Sequence, residues 1–439
     1  MRGRSLPATR VRLELYRGPA KRDEGMLKLD GNEGARPPTE LLDALAGQDL
    51  NVLRDYPDTR ELEADIAAWL GVPPEQVVVT AGADGALDRI CRAYLEAGRR
   101  MILPVPAFEM IYRFVAVAGG EITPVPWIDD YPTDQVIAAL GADVSLVAMI
   151  SPNNPTGRIA TAADLTRVAE ASTGALVLLD HVYVDYADED LTALAASMDN
   201  VVVVRSFSKA WGLAGCRVGY AVAPPEVATV LRNAGNPYPV AGLSIAAVQA
   251  QLASGAAALD VHVARVRQER TLLAGKLFEL GASPHPSEAN FVFADFGRRA
   301  DLVYQGLAGL GVKVRRFPRR QEITDGLRIT VPETDTDRDR LFGALEALLA
   351  PEALLLDMDG VLADVEESYR RCVLETAAAF GASITRADLE AVVLKGDANS
   401  DWVLTQRILE RRGIDVSLEE VTARPGYDDA VPEVQECPV

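Results

Sequence analysis

Between residues 75 and 225, short continuous apolar runs alternate with longer stretches of helical periodicity. No other feature of the sequence limits the fold as strongly. Residues 77–79, 100–103, 121–125, 144–150, 175–179 and 201–204 read as strands, and those without a polar alternate read as strands buried on both faces. Parallel strands need crossover connections, and the intervening helical stretches supply them. The expected core is therefore an α/β unit, a mostly parallel sheet covered by helices. Residues 241–280 read as one long helical region with Arg265, Arg267, Glu269 and Arg270 on a solvated face. Residues 290–331 read as a smaller α+β unit, closed by an amphipathic helix over 341–349.

The chain has 439 residues, 49% hydrophobic and 25% charged, enough for a large core and two or three domains. A formal charge of −20 argues against nucleic acid or an anionic membrane as a partner. Residues 351–439 carry 8 basic against 19 acidic side chains, so the composition breaks near Pro351. No apolar run reaches the roughly 18 residues needed to cross a bilayer. The first 25 residues are rich in arginine but include Glu14, Asp23 and Glu24 and lack the apolar centre of a secretory signal; they read as an arm. Cys91, Cys216, Cys372 and Cys437 form no CxxC pair, and His181, His262 and His285 form no ligand cluster. The expectation is a protein of the reducing cytoplasm without a structural metal.

The strand at 201–204 runs into Ser206-Phe207-Ser208-Lys209-Ala210-Trp211-Gly212-Leu213-Ala214-Gly215-Cys216-Arg217. An ammonium placed just after a buried strand is costly to desolvate unless it is paired or uncharged. Ser206, Ser208 and Arg217 offer donors for a phosphate, and Gly212 and Gly215 allow backbone to approach closely. A phosphorylated aldehyde bound to Lys209 would use all of them; a surface loop with a solvated lysine is the plainer reading. Thr80-Ala81-Gly82-Ala83-Asp84-Gly85 opens a helix, where free N–H groups suit a phosphate unless Asp84 simply caps them. Asp180 ends a strand, where open α/β sheets bind ligands, or it caps the next turn. Asn32, in Leu29-Asp30-Gly31-Asn32-Glu33, is a site residue or a turn residue. Ser151-Pro152-Asn153-Asn154-Pro155-Thr156-Gly157 is a loop.

These stretches, with Tyr56-Pro57-Asp58, Pro106-Ala107-Phe108, Asp180-His181-Val182-Tyr183 and Gly326-Leu327-Arg328-Ile329-Thr330-Val331, occur in an order that resembles the fold-type I pyridoxal-phosphate aminotransferases. The resemblance is strongest to the histidinol-phosphate aminotransferase branch and covers about residues 26 to 350. It implies a large cofactor-binding domain at 46–240, a small domain from 26–45 and 241–350, and pyridoxal 5′-phosphate as cofactor. Lys209 would join the cofactor aldehyde and then move a proton at the substrate α carbon. Asp180 would face the pyridine nitrogen, Asn154 and Tyr183 the phenolic oxygen, and Phe108 the ring face. The phosphate would lie at Gly82, Ala83 and Asp84, with Ser206, Ser208 and Arg217. Tyr56 would reach the neighbouring subunit's cofactor, which implies a homodimer with shared sites. Arg328 would anchor the acidic end of the substrate, with Arg315 as a second candidate and Asn32 on the segment that closes over it.

Two departures keep the substrate open: Gly34-Ala35-Arg36 follows the Asn-Glu pair, and Pro332-Glu333 follows Val331. Histidinol phosphate leads. An aromatic or other α-amino acid with its 2-oxo acid is the alternative, and a decarboxylase or lyase on the same scaffold is another. Leu354-Leu355-Leu356-Asp357-Met358-Asp359-Gly360 resembles the first motif of haloacid-dehalogenase-like phosphatases, in which Asp357 would attack phosphorus and Asp359 would handle the leaving-group proton. Helical stretches follow, but no later strand delivers the remaining residues such enzymes need. The segment 351–439 therefore reads as truncated and without phosphatase activity, with an active phosphatase fusion as the alternative.

Overall fold

The structure, a computed structural model, describes residues 25–318, 320–351, 369–393 and 400–423. Asp357, Asp359 and their motif lie outside the described residues, as does the N-terminal arm apart from Gly25. The chain divides into two compact units, with the boundary after Pro351.

Twelve strands are described in the first unit: β1 (Leu27–Leu29), β2 (Val77–Thr80), β3 (Arg100–Val105), β4 (Glu121–Pro126), β5 (Val144–Ile150), β6 (Leu176–Asp180), β7 (Val201–Ser206), β8 (Gly219–Val222), β9 (Ser283–Pro284), β10 (Phe291–Asp295), β11 (Val312–Arg316) and β12 (Gly326–Thr330). Seven of them form the large sheet in the order β2-β8-β7-β6-β5-β3-β4. The contiguous strands from β7 to β4 pair in parallel. Side chains alternate across this sheet. Val147, Met149, Val177, Leu179, Val201 and Val203 pack on one face, and Leu146, Ala148, Leu176, Leu178, Val202 and Val204 on the other. Every residue of β2, β5, β6 and β7 is buried, as the continuous apolar runs require.

The antiparallel β8 between β2 and β7 escapes a hydrophobicity reading because it is four residues long and begins with glycine. A Cβ on Gly219 would lie 2.4 Å from the carbonyl carbon of Gly82. Only glycine permits this approach, which sets β8 against the turn that opens helix Gly82–Tyr94.

The second sheet has the order β1-β11-β12-β10-β9, with β1 parallel to β11 and the other pairs antiparallel. Leu273, Val292, Val303, Val312, Leu327, Ile329 and Leu341 fill its core. Residues 241–280 differ from the single helix expected. They form Gly242–Ser254 and Ala256–Glu279, which meet at an 82° bend. Leu41, Ile245, Ala247 and Val248 are buried with Leu62 and Ile66 of the large core, so the helices that carry them pack there and not on the small sheet.

The solvated face expected for 265–270 is also corrected. Glu269 is only 4% exposed and accepts from Arg338 at 2.8 Å. Arg270 donates to the carbonyl of Ala289 at 2.9 Å, and Arg267 to that of Tyr186 at 3.2 Å. Carbonyls of a buried turn need donors, and these arginines supply them.

The second unit contains the helices Tyr369–Ala379, Arg386–Val393, Asp401–Arg411 and Leu418–Thr422, and no strand among the described residues. Val373, Leu389, Val392, Leu404 and Ile408 make one apolar cluster, and Ala377, Ala382, Leu409 and Val421 a second.

Leu178, at the middle of β6 and 0% exposed, is paired on both sides. Leu178→Ala should cost about 2–5 kcal/mol of stability. A urea midpoint within error of the parent's would contradict this account of the core.

Candidate active site

The carboxyl ends of β5, β6 and β7 and the turn after β2 meet at one edge of the large sheet, where β1 and β12 bring in residues of the small sheet. Between them lies a cleft of about 300 Å³, lined among others by Ala83, Asp84, Phe108, Asn154, Asp180, Tyr183, Ser206, Ser208, Lys209, Arg217, Arg315 and Arg328. That volume suits a compact cofactor and a small substrate.

Lys209 is placed by its neighbours. Phe207 is fully buried and packs on Trp211 and Tyr220, with ring centroids 5.7 and 5.5 Å away. This anchors the turn after β7. A Cβ on Gly34 would lie 1.8 Å from the Lys209 carbonyl oxygen, so the segment after β1 presses directly on the lysine. The Lys209 Nζ donates to the carbonyl of Gly31 at 3.3 Å and sits 5.5 Å from the ring centroid of Tyr183. The lysine is thus partly enclosed and not on a solvated loop.

The phosphate cradle is built by close approaches. Gly82 has φ +71°, and a Cβ there would meet the Arg217 Nη2 at 2.7 Å. The helix Gly82–Tyr94 has no side-chain cap. Asp84 instead accepts from the Arg217 Nη2 at 3.1 Å, which leaves N–H groups of the first turn free for an anion. Arg217, itself at φ +53°, also donates to the Ser208 Oγ at 3.3 Å. The Ser206 Oγ accepts from the Ser208 N–H at 3.1 Å.

Asp180 is 5% exposed, and its Oδ1 accepts from the Val182 N–H at 3.2 Å. Burial pushes its carboxyl from 3.8 up to about 7; the Asp84 charge adds to this, while the Val182 N–H and Lys209 oppose it. A buried carboxyl of this kind calls for a cation, and a protonated ring nitrogen supplies one.

Beside it, the His181 Nδ1 donates to the Ser151 carbonyl and its Nε2 accepts from the Leu191 N–H at 3.1 Å. Burial lowers His181 to about 4, so the ring is neutral. It holds the loop of residues 151–157, which carries Asn154. The sequence quoted this histidine without assigning it a role.

Asn154 accepts through its Oδ1 from the Arg328 Nη1 at 2.7 Å, and the Arg328 Nη2 donates to the Asp30 carbonyl, also at 2.7 Å. Arg315 donates to the Glu109 Oε1 at 3.1 Å. Phe108 precedes the helix Glu109–Ala118 and lines the cleft.

Asn32 and Tyr56 do not line this cleft, as is expected of Tyr56 if it serves a neighbouring subunit. Asn32 is fully buried at φ +54° and does not line the cleft. Its Nδ2 donates to the Tyr183 hydroxyl at 3.1 Å, and its Oδ1 accepts from Thr330 at 2.8 Å. It therefore positions Tyr183. Tyr56 is 80% exposed, stacked on Tyr238 at 4.4 Å, and outside the cleft. The supports Asn290 and Thr330 were missed, because only the distant pairing of β1 with the small sheet makes them neighbours of Asn32.

A lysine beside a buried carboxyl, an anion cradle and an enclosed aromatic wall fit a phosphorylated pyridine aldehyde. Residues 25–345 match the family Aminotransferase class I and II. A histidinol-phosphate aminotransferase of Symbiobacterium thermophilum is 36% identical over 339 residues, covering 74% of this chain and 91% of that protein. An aromatic amino acid aminotransferase of Mycobacteroides abscessus is 34% identical over 337 residues, covering 74% and 95%. Among solved structures, histidinol-phosphate aminotransferase from Sinorhizobium meliloti in complex with pyridoxal-5′-phosphate superposes with a TM-score of 0.69 at 27% identity, covering 74% of this chain and 92% of that one. The chain belongs to the aminotransferase class I and II family. Its activity is that of a pyridoxal-phosphate-dependent aminotransferase, and pyridoxal phosphate is its cofactor.

Because folding raises the Asp180 carboxyl from 3.8 to about 7, the folded cofactor-free protein keeps a proton there that the unfolded chain has lost. Its stability contribution therefore falls as pH rises through that window, by at most about 1.4 kcal/mol per pH unit. Asp180→Asn removes this dependence. In denaturation of the cofactor-free proteins, the variant should gain on the parent between pH 5 and pH 8; a constant difference would refute the burial argument.

Proposed function

We propose that the chain moves an amino group between histidinol phosphate and a 2-oxo acid. The observation that carries this reading is the second cationic wall. Besides the cradle at Arg217, Arg315 and Arg328 line the same cleft and both lie 5.9 Å from the ring centroid of Phe317. Histidinol phosphate has no carboxylate, so its phosphate is the group such a wall would take. The histidinol-phosphate aminotransferases among the relatives support the same assignment.

The bound cofactor supplies an electron sink for the substrate α carbon. The protein does the rest. Lys209 Nζ, once neutral, would take the proton from the substrate α carbon. Asp180 would keep a proton on the ring nitrogen, and the Tyr183 hydroxyl, held by Asn32, and Asn154 would orient the ring. Arg328 fixes the substrate through its anionic end, its own direction set by Asn154 and the Asp30 carbonyl.

Transfer from an aromatic amino acid is the second reading. It is favoured by the aromatic lining of Phe108, Tyr183 and Phe317 and by the aromatic amino acid aminotransferase among the relatives. The test is a half-reaction followed by absorbance: holoenzyme with histidinol phosphate, L-phenylalanine or L-tyrosine and no 2-oxo acid. Histidinol phosphate should convert the cofactor at least tenfold more efficiently than either amino acid, and the reverse order would install the second reading. Borohydride reduction of the resting enzyme should fix the cofactor on Lys209.

We also propose a cytoplasmic homodimer. Leu42, Leu50, Leu53 and Tyr56 are exposed by 68, 80, 67 and 80%, an apolar run that a second copy would cover. Cys91, a free thiol and buried, suits a reducing compartment. Residues 351–439 remain, in this reading, a truncated haloacid-dehalogenase-like segment; its described helices support only its helical part. Light scattering should give twice the monomer mass, and Tyr56→Phe should raise the dissociation constant of pyridoxal phosphate about tenfold. A monomer with unchanged cofactor affinity in that variant would refute the shared site.

A further inference from the structure

One arginine of the cleft belongs to no motif and is held differently from the others. Arg320 lines the active-site cleft and also an adjoining groove that includes Pro106, Trp127 and Arg158. It therefore stands where the one opens into the other. Its guanidinium carbon lies 4.1 Å above the ring centroid of Tyr112, on the helix Glu109–Ala118. A guanidinium held over a ring at this distance makes a cation–π contact that restrains the fork at the mouth of the cleft. Burial pushes the Tyr112 phenol up, so the ring stays a neutral platform across the working pH range.

The two other arginines of this wall are engaged by short bonds. Arg328 donates at 2.7 Å to Asn154 and to the Asp30 carbonyl, and Arg315 donates at 3.1 Å to Glu109. The carboxylate beside Arg320 is that of Glu322, at 3.8 Å, with side chains 20 and 41% exposed. That separation is beyond hydrogen-bond length, and an ion pair so exposed is weak. A stronger anion can displace it. The Arg320 backbone N–H donates to the Phe317 carbonyl at 3.1 Å, so Arg320 sits on the same turn as the ring that Arg315 and Arg328 flank.

A carboxylate carries one charge and two acceptor oxygens. A phosphomonoester carries nearly two charges at neutral pH and three acceptor oxygens, enough for a second fork. We propose that Arg320, from its stack on Tyr112, is the specificity-determining residue that makes this cleft prefer an amino donor ending in a phosphomonoester over one without it. Arg328 engages either kind of anion; Arg320 adds the contact that only the dianion fills. This rests on the histidinol-phosphate reading above and goes further by naming the residue that discriminates.

The test compares histidinol phosphate with unphosphorylated histidinol in the half-reaction of the full-length holoenzyme, for the parent, Arg320→Gln and Arg320→Lys. Cofactor absorbance reports that each variant is folded and loaded. The parent should prefer the phosphorylated amine. Arg320→Gln should reduce that preference at least tenfold, mainly through the half-saturation concentration and with the limiting rate little altered. Arg320→Lys, which keeps the charge but loses the fork, should recover part of it. A preference kept within twofold in Arg320→Gln would overturn the role of Arg320 and leave the substrate reading standing. No preference in the parent would overturn both.

Discussion

The site depends on a carboxyl group kept out of water at the end of a parallel strand. Asp180 closes β6, whose neighbours β5 and β7 cover it on both sides, and it is 5% exposed. Left ionised without a partner such a group is costly; left neutral it does no electrostatic work. The fold tolerates the conflict because the sheet around it is apolar on both faces and rigid. A cofactor with a basic ring nitrogen resolves it, so the same burial that weakens the empty site strengthens the filled one.

Around that carboxyl the chain is arranged by glycines at close approaches and by a neutral histidine. The contacts of Gly34 with the Lys209 carbonyl and of Gly219 with the Gly82 turn leave no room for a Cβ. Each joins segments far apart in sequence. His181, bonded through both ring nitrogens, ties the end of β6 to the loop after β5. Its protonation would cost one of these bonds, and burial already holds it near 4. These contacts determine where Lys209 and Asn154 stand, though none belongs to a group that reacts.

What the sequence made legible follows from which signals are local. The valine runs of β2 and β7 and the buried run of β5 announce themselves, because burial on both faces removes the polar alternate. Lys209, Asp180 and the Gly82 turn were readable because each sits at or just beyond the end of a buried strand. β8 was not, since its position comes from a glycine contact and not from its own hydrophobicity. The face of 265–270 was misread for the same reason. Arginines that satisfy the carbonyls of Tyr186 and Ala289 look, on a helical wheel, like a solvated stripe. The role of Asn32 in holding Tyr183 has no local signal, since its partners Tyr183 and Thr330 are supplied by other elements 151 and 298 residues away.

The two halves of the site answer to different constraints. The cofactor side is built from strand ends of the large sheet, where a shift of one residue would reverse the facing of every buried side chain. The substrate side is carried by β11, β12 and the turn between them, where Arg315, Phe317, Arg320 and Arg328 fall within a short span. Arg328, on a fully buried strand, is tied to both halves through Asn154 and the Asp30 carbonyl, and Arg315 reaches across to Glu109. The turn residues are held by stacking and by partly exposed pairs, which a few substitutions rearrange without disturbing the sheet. The cofactor side thus rests on buried strand ends, and the substrate side of the proposed reading on a turn held by more exposed contacts. Relatives of similar identity are named for both histidinol phosphate and aromatic amino acids, and in the proposed reading that choice falls to the turn.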